Sequence, residues 1–104
     1  MKKESLNITE EQADDGIKFS LKGRVDSIHA DDLLNVLENA VKNGNINIIL
    51  NMLWVEYLSS SGIRVIIKAY KDARAAGGKL QIEAPSKNVR NVLGMVVLDE
   101  LLLK

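Results

Sequence analysis

The pattern of apolar and polar residues along this chain begins with a period of two. From Gly16 to Gly23 it reads GIKFSLKG, setting Ile17, Phe19 and Leu21 against Lys18, Ser20 and Lys22, as a strand with one face in a core requires. SLNITEEQ, from Ser5 to Gln12, is a strand candidate before it, and the Asp14-Asp15-Gly16 step between the two predicts a hairpin. The period then lengthens to that of a helix. IHADDLLNVLENAVKNG carries Leu33, Leu37, Ala40 and Val41 at helical spacing, with Leu34 widening the stripe. Asp26 or Ser27 can cap this helix, Asp31 and Asp32 suit its first turns, and Gly44 can end it.

INIILNML follows, a nearly continuous apolar run broken by asparagines, as expected of a central strand buried on both faces. GIRVIIKAYKDARAAGG returns to helical spacing through Ile63, Ile66, Ile67, Tyr70 and Ala73, and Gly77-Gly78 supplies the stop. KLQIEAP predicts a short strand closed by Pro85, SKNVRNVLGMV a short helix that Ser86 can cap, and LDELLLK a last strand. Strands alternating with helices in this order predict an α/β fold: a mixed, mostly parallel sheet of about five strands with helices packed on it. The first strand joins as a hairpin edge.

Composition narrows the class. The 104 residues, 46% apolar and 27% charged, suit one globular domain, 1–104, with a single core. Fourteen Lys and Arg balance fourteen Asp and Glu, so no global field gathers phosphate backbone and nucleic acid is not an expected partner. The absence of cysteine removes disulfides and thiolate metal sites and suits a reducing compartment. No apolar run approaches the roughly 18 residues of a membrane span, and MKKESLNITEEQ lacks the apolar centre of a secretory signal. A cytoplasmic protein without direct membrane insertion is expected.

The stretch with candidate chemistry is WVEYLSSSGIR, Trp54 to Arg64. In such sheets the turns leaving the carboxyl ends of strands carry function, and GRVDSIH and EYLSSSG are two of them. If their strands are neighbours, Asp26 and the serines share one end of the sheet. A serine at a helix start satisfies a free N–H group, worth about 1 kcal/mol, which would account for Ser60 or Ser61. Three serines exceed what a cap needs. The same place suits a phosphoserine, since a charge of roughly −2 meets unpaired N–H groups and the positive end of the helix dipole, with Gly62 leaving room. Other chemistries fit worse. There is no Gly-x-Ser-x-Gly elbow and a single histidine, His29, read as a surface residue in the first turn of its helix. Neither a phosphate-binding glycine loop nor metal-ligand spacing occurs, so no catalytic residue, metal or cofactor is expected. Trp54 and Tyr57 read most simply as core or turn-packing residues; an exposed Trp54 would make an interface anchor, and Met52 and Leu53 before it make a greasy loop that favours a contact surface.

The GRVD turn, the run IILNMLWVEYLSSSGIRVIIKAYKDARAAGGKLQIEAPSKNVRNVL and the closing LDELLL resemble the anti-sigma factor antagonists, stand-alone STAS domains of bacteria. The resemblance spans about Ile8 to Leu103. It implies that Ser60 is phosphorylated by a partner serine kinase that is itself an anti-sigma factor. Asp26, Ser59, Ser61 and Gly62 would support the acceptor. Leu53 and Trp54 occupy positions that are often polar in the family, which suggests a particular partner or a homotypic contact, and with Tyr57 and Arg64 they are the expected partner-binding residues. It also implies partner switching in transcription regulation: binding of the kinase when unmodified, release on phosphorylation, and resetting by a PP2C-type serine phosphatase, with no enzymatic activity of its own. Family members often have Asp where this chain has Ser59, and usually continue past the position of Lys104 into a terminal helix. A short or missing terminal helix would leave apolar surface suited to a homodimer. The alternative is a STAS scaffold, not controlled by phosphate, in a larger signalling or membrane-associated assembly.

Overall fold

Strands β1 (Leu6–Ala13) and β2 (Gly16–Val25) form the expected hairpin through the two-residue turn Asp14-Asp15. A computed structural model provides the coordinates; it describes residues 6–101 and, for residues 95–100, the backbone alone. Helix α1 (Ala30–Lys42), strand β3 (Asn47–Leu58), helix α2 (Ser60–Ala75), strand β4 (Lys79–Glu83) and helix α3 (Lys87–Leu101) follow. The sheet order is β1-β2-β3-β4, with β1 antiparallel to β2 and the other neighbours parallel.

Two crossovers, β2-α1-β3 and β3-α2-β4, step across the sheet in the same direction. Right-handed crossovers of that kind lay both helices on one face, and α1 and α2 do contact each other. That face is the core: Phe19, Leu21 and Val25 of β2, Ile48, Leu50 and Met52 of β3, and Leu80 and Ile82 of β4 are buried beneath Leu33 and Leu37 of α1 and Ile66 and Ala73 of α2. The expectation that β3 is buried on both faces therefore fails, and Ile49 and Asn51 on its other side are half-buried. In α2 the buried stripe runs through Gly62, Val65, Ile66, Ala69 and Ala73. Ile63, Ile67 and Tyr70, which the spacing favoured, lie at its half-buried margin.

Two further expectations need correction. The described sheet has four strands, not about five, because the start of LDELLLK belongs to α3 and its last residues, 102–104, lie outside the described residues. Leu98 and Leu101 are three apart, a helical spacing, and Gly94, at φ 75°, kinks the helix between its two segments. Secondly, β3 runs on past Leu53 to Leu58. Its register against β2 jumps twice, from Ser20–Asn51 to Lys22–Trp54 and from Gly23–Val55 to Arg24–Tyr57, so β3 carries one extra residue at each place. These bulges change the phase of the strand. After Met52 the buried residues are Val55 and Leu58, spaced by three rather than two. Among the described residues no helix is long and apolar enough to cross a membrane.

Candidate functional site

The last register pair of β2 and β3 is Val25–Leu58, so Asp26 and Ser59 leave the sheet side by side, as expected for neighbouring strands. The junction is tied by one carbonyl. Val25 O accepts from the backbone N–H of Ser59 at 2.9 Å and from the Ser59 hydroxyl, also at 2.9 Å. The same Ser59 Oγ accepts from Gly62 N–H at 3.1 Å.

Ser59 is therefore the cap, where Ser60 or Ser61 was expected. Its backbone is extended (φ −82°, ψ 169°) and the helix begins at Ser60. From that position a hydroxyl reaches the N–H three residues on, whereas Ser60 and Ser61 already have helical backbone. The result separates three adjacent serines. The hydroxyl of Ser59 is committed to the fold, Ser61 is half-buried, and Ser60 is exposed, with no hydrogen bond from its hydroxyl among the described residues.

Gly62 has a packing role that the sequence did not show. It is buried, and a Cβ there would meet Leu58 Cδ1 and Val25 Cγ1 at 2.8 Å. Its missing side chain lets the first turn of α2 press against the ends of β2 and β3.

Asp26 sits directly after β2, and its Oδ1 accepts from the backbone N–H of His29 at 2.9 Å and meets His29 Nδ1 at 2.8 Å. The His29 amide chiefly, helped by its ring, holds the Asp26 carboxyl below its ordinary pKa. His29 itself occupies the N-cap position of α1 and is half-buried against Asp26, not a plain surface residue. Asp26 thus braces the entry to α1 three residues before the cap. No hydrogen bond joins it to the three serines among the described residues. Arg64 is exposed on α2, four residues beyond Ser60.

Leu53, Trp54 and Tyr57 are strand residues of β3, not a loop. They are nevertheless 48%, 65% and 42% exposed, so the reading of Trp54 and Tyr57 as core fails. The bulges are the reason, because they keep Val55 and Leu58 inward while turning two residues out between each pair. Sequence reasoning missed several participants. Arg24 lays its guanidinium 4.4 Å from the centre of the Tyr57 ring; only the register shows that they are opposite. Ile28, in the turn before α1, is 76% exposed, and an isoleucine amid the polar VDSIHADD was a readable sign of it. Ser86 caps α3 as expected, accepting from Val89 N–H at 3.2 Å. It also donates through its hydroxyl to Val55 O at 2.8 Å and through its amide to Met52 O at 3.1 Å. With Asn88 Nδ2 donating to Glu56 O at 2.6 Å, it holds the β3 edge that β4 does not reach. Among the described residues no group of His, Asp and Glu could hold a metal ion.

The STAS domain pattern matches residues 7–103. A provisionally named anti-sigma factor antagonist, BtrV of Bordetella bronchiseptica, is 29% identical over 87 residues, covering 84% of this chain and 75% of its own. Among solved structures, an anti-sigma factor antagonist from Mycobacterium paratuberculosis superposes with a TM-score of 0.81 at 20% identity, over 94% of this chain and 83% of its own. Bacillus SpoIIAA gives 0.80 at 20% identity in its unphosphorylated form, over 93% and 86% of the two chains. Its phosphorylated form gives 0.77 at 19%, over 93% and 89%. At these identities the structures share a fold with this chain.

Proposed function

Since the chain belongs to the STAS domain family, we propose that it is an anti-sigma factor antagonist, a binding module switched by phosphorylation of Ser60. Unmodified, the serine turn and the exposed Arg64 one helical turn further along α2 dock an anti-sigma serine kinase in the cytoplasm. The kinase then transfers a phosphoryl group to the Ser60 hydroxyl and releases the module, and a PP2C-type serine phosphatase restores it. Relatives named as anti-sigma factor antagonists support the role, and the existence of SpoIIAA in unphosphorylated and phosphorylated forms supports the switch.

The observation that carries this reading is the split between adjacent serines. Ser59 is consumed by Val25 and Gly62, while Ser60 is exposed at the first helical position of α2. A phosphate there sits at the positive end of the helix dipole, so the fold tolerates it. A partner that had desolvated the turn would instead have to bury about two negative charges, at a cost of several kcal/mol. The neighbouring Asp26, already anionic beside His29, adds to that repulsion.

The test incubates the protein with its cognate anti-sigma kinase and ATP and maps phosphate by mass spectrometry. One phosphate on Ser60, abolished in Ser60→Ala without loss of thermal stability, is the expected result. Phosphate on Ser59 or Ser61 instead, or none, overturns the assignment. The scaffold alternative draws on the exposed Leu53, Trp54 and Tyr57; kinase-independent assembly of a large complex in light scattering would favour it.

A further inference from the structure

The face of the sheet turned away from α1 and α2 is not uniform. Near the amino end of β2 it carries Glu11 opposite Lys18, and Lys18 Nζ reaches across to Glu83, the last residue of β4, at 3.0 Å. Charges there are balanced. Towards the carboxyl ends the rows read differently. Lys22 lies opposite Trp54 and Arg24 opposite Tyr57, with Leu53 beside them in the first bulge. Lys22 and Arg24 have no ion-pair partner among the described residues, and the one carboxylate between Trp54 and Tyr57 in sequence is Glu56, at the second bulge. Two cations without an ion-pair partner among the described residues thus flank two aromatic rings and a leucine, on a face where none of these five side chains is buried.

We propose that this patch is a second docking surface, distinct from the serine turn, for a protein segment that presents apolar side chains flanked by carboxylates. The apolar anchors would cover Trp54 and Leu53, and the carboxylates would meet Lys22 and Arg24. Aromatic residues and arginine are the anchors such surfaces use, and charge complementarity selects the sign of the partner. A second copy of this chain fits worse, because two-fold pairing sets the same cations against each other. Nucleic acid fits worse too. The Tyr57 ring already has Arg24 on it, and two cations on a chain of zero net charge make a weak phosphate track. The surface goes beyond the switch and does not depend on Ser60, so either can fail without the other.

Trp54 is the sole tryptophan, so its emission reads the patch directly. The probes are three synthetic amphipathic peptides of equal length, with leucines flanked by glutamate, by lysine or by serine. The expected result is a saturable blue shift with the glutamate peptide, weakened by added salt and roughly tenfold weaker in Lys22→Glu/Arg24→Glu, which gains affinity for the lysine peptide. Equal responses to all three peptides, or no effect of the charge reversal in a variant whose circular dichroism is unchanged, overturns the proposal. A blue shift with protein concentration alone assigns the patch to a second copy, and tighter binding of oligo(dT) than of the glutamate peptide assigns it to nucleic acid. Either outcome also overturns it.

Discussion

The two halves of β3 make different use of the same strand. From Asn47 to Asn51 it has β2 on one side and β4 on the other, in unbroken register with both, and its buried positions alternate by two. From Met52 to Leu58 it has β2 on one side with two extra residues, and Ser86 and Asn88 in place of a strand on the other. The regular half is held by burial and ladder bonds. The bulged half gives up alternation, yet keeps Met52, Val55 and Leu58 in the core while turning Leu53, Trp54, Glu56 and Tyr57 outward. It then delivers Ser59 beside Val25. Both halves are anchored in the core, but only the second also turns large apolar side chains out to where a partner could reach them.

Truncating one side chain in each half tests that division most strongly. Leu50, fully buried in the regular half, leaves a cavity when cut, so Leu50→Ala should cost about 3 kcal/mol. Trp54→Ala, in the bulged half, should change stability by less than about 0.5 kcal/mol, because the ring is mostly in water. Urea unfolding of both variants gives the comparison. Losses of similar size would mean that Trp54 packs into the fold and would remove it from any docking surface.

The same contrast explains what could be read from sequence. β2, α1 and the regular half of β3 were legible because each buries one face at a fixed period, so Ile17, Phe19 and Leu21, or Leu33 and Leu37, announce their own element. The bulged half was not, because its extra residues are defined only against β2; INIILNML looked complete, and Trp54 and Tyr57 looked like loop or core. The serine turn was legible as a place but not in its internal assignment. Which serine caps depends on where helical backbone begins, and that is set by the Val25 carbonyl, 34 residues away. The packing role of Gly62 was hidden for a similar reason, since its neighbours Val25 and Leu58 meet it only in the fold. Only the end of the last helix, within LDELLLK, read as a strand, because a short apolar run has no period of its own.

At the end of the bulged half, the difference between neighbouring serines predicts a second, smaller pair of effects. Ser59→Ala removes the cap and leaves the Gly62 amide, in a buried residue, without its partner; the expected loss is about 1 kcal/mol. Ser60→Ala removes an exposed hydroxyl and should stay within about 0.5 kcal/mol. Thermal unfolding of the two variants checks the order. Reversal would make Ser60 the structural serine and withdraw it as a phosphate acceptor.

The smallest effect belongs to the outer face of the regular half and is set apart by pH. Asn51 Nδ2 donates to Glu83 at 2.8 Å and Lys18 pairs with it at 3.0 Å; these, the amide first, hold the Glu83 pKa below its ordinary 4.5. A carboxyl that is more acidic folded than unfolded stabilises the native state above the unfolded value and loses that contribution as pH falls through the folded one. Glu83→Gln should therefore be less stable than the parent by about 0.5 kcal/mol at neutral pH, with the gap closing once pH drops well below 4.5. Trp54→Ala, which removes no titrating group, should differ from the parent by the same small amount across that range. Urea titrations at neutral and acid pH separate the two. A gap for Glu83→Gln that does not depend on pH would mean that the side chain acts through packing, and the outer face would then lose the charge balance that distinguishes its regular half from its bulged one.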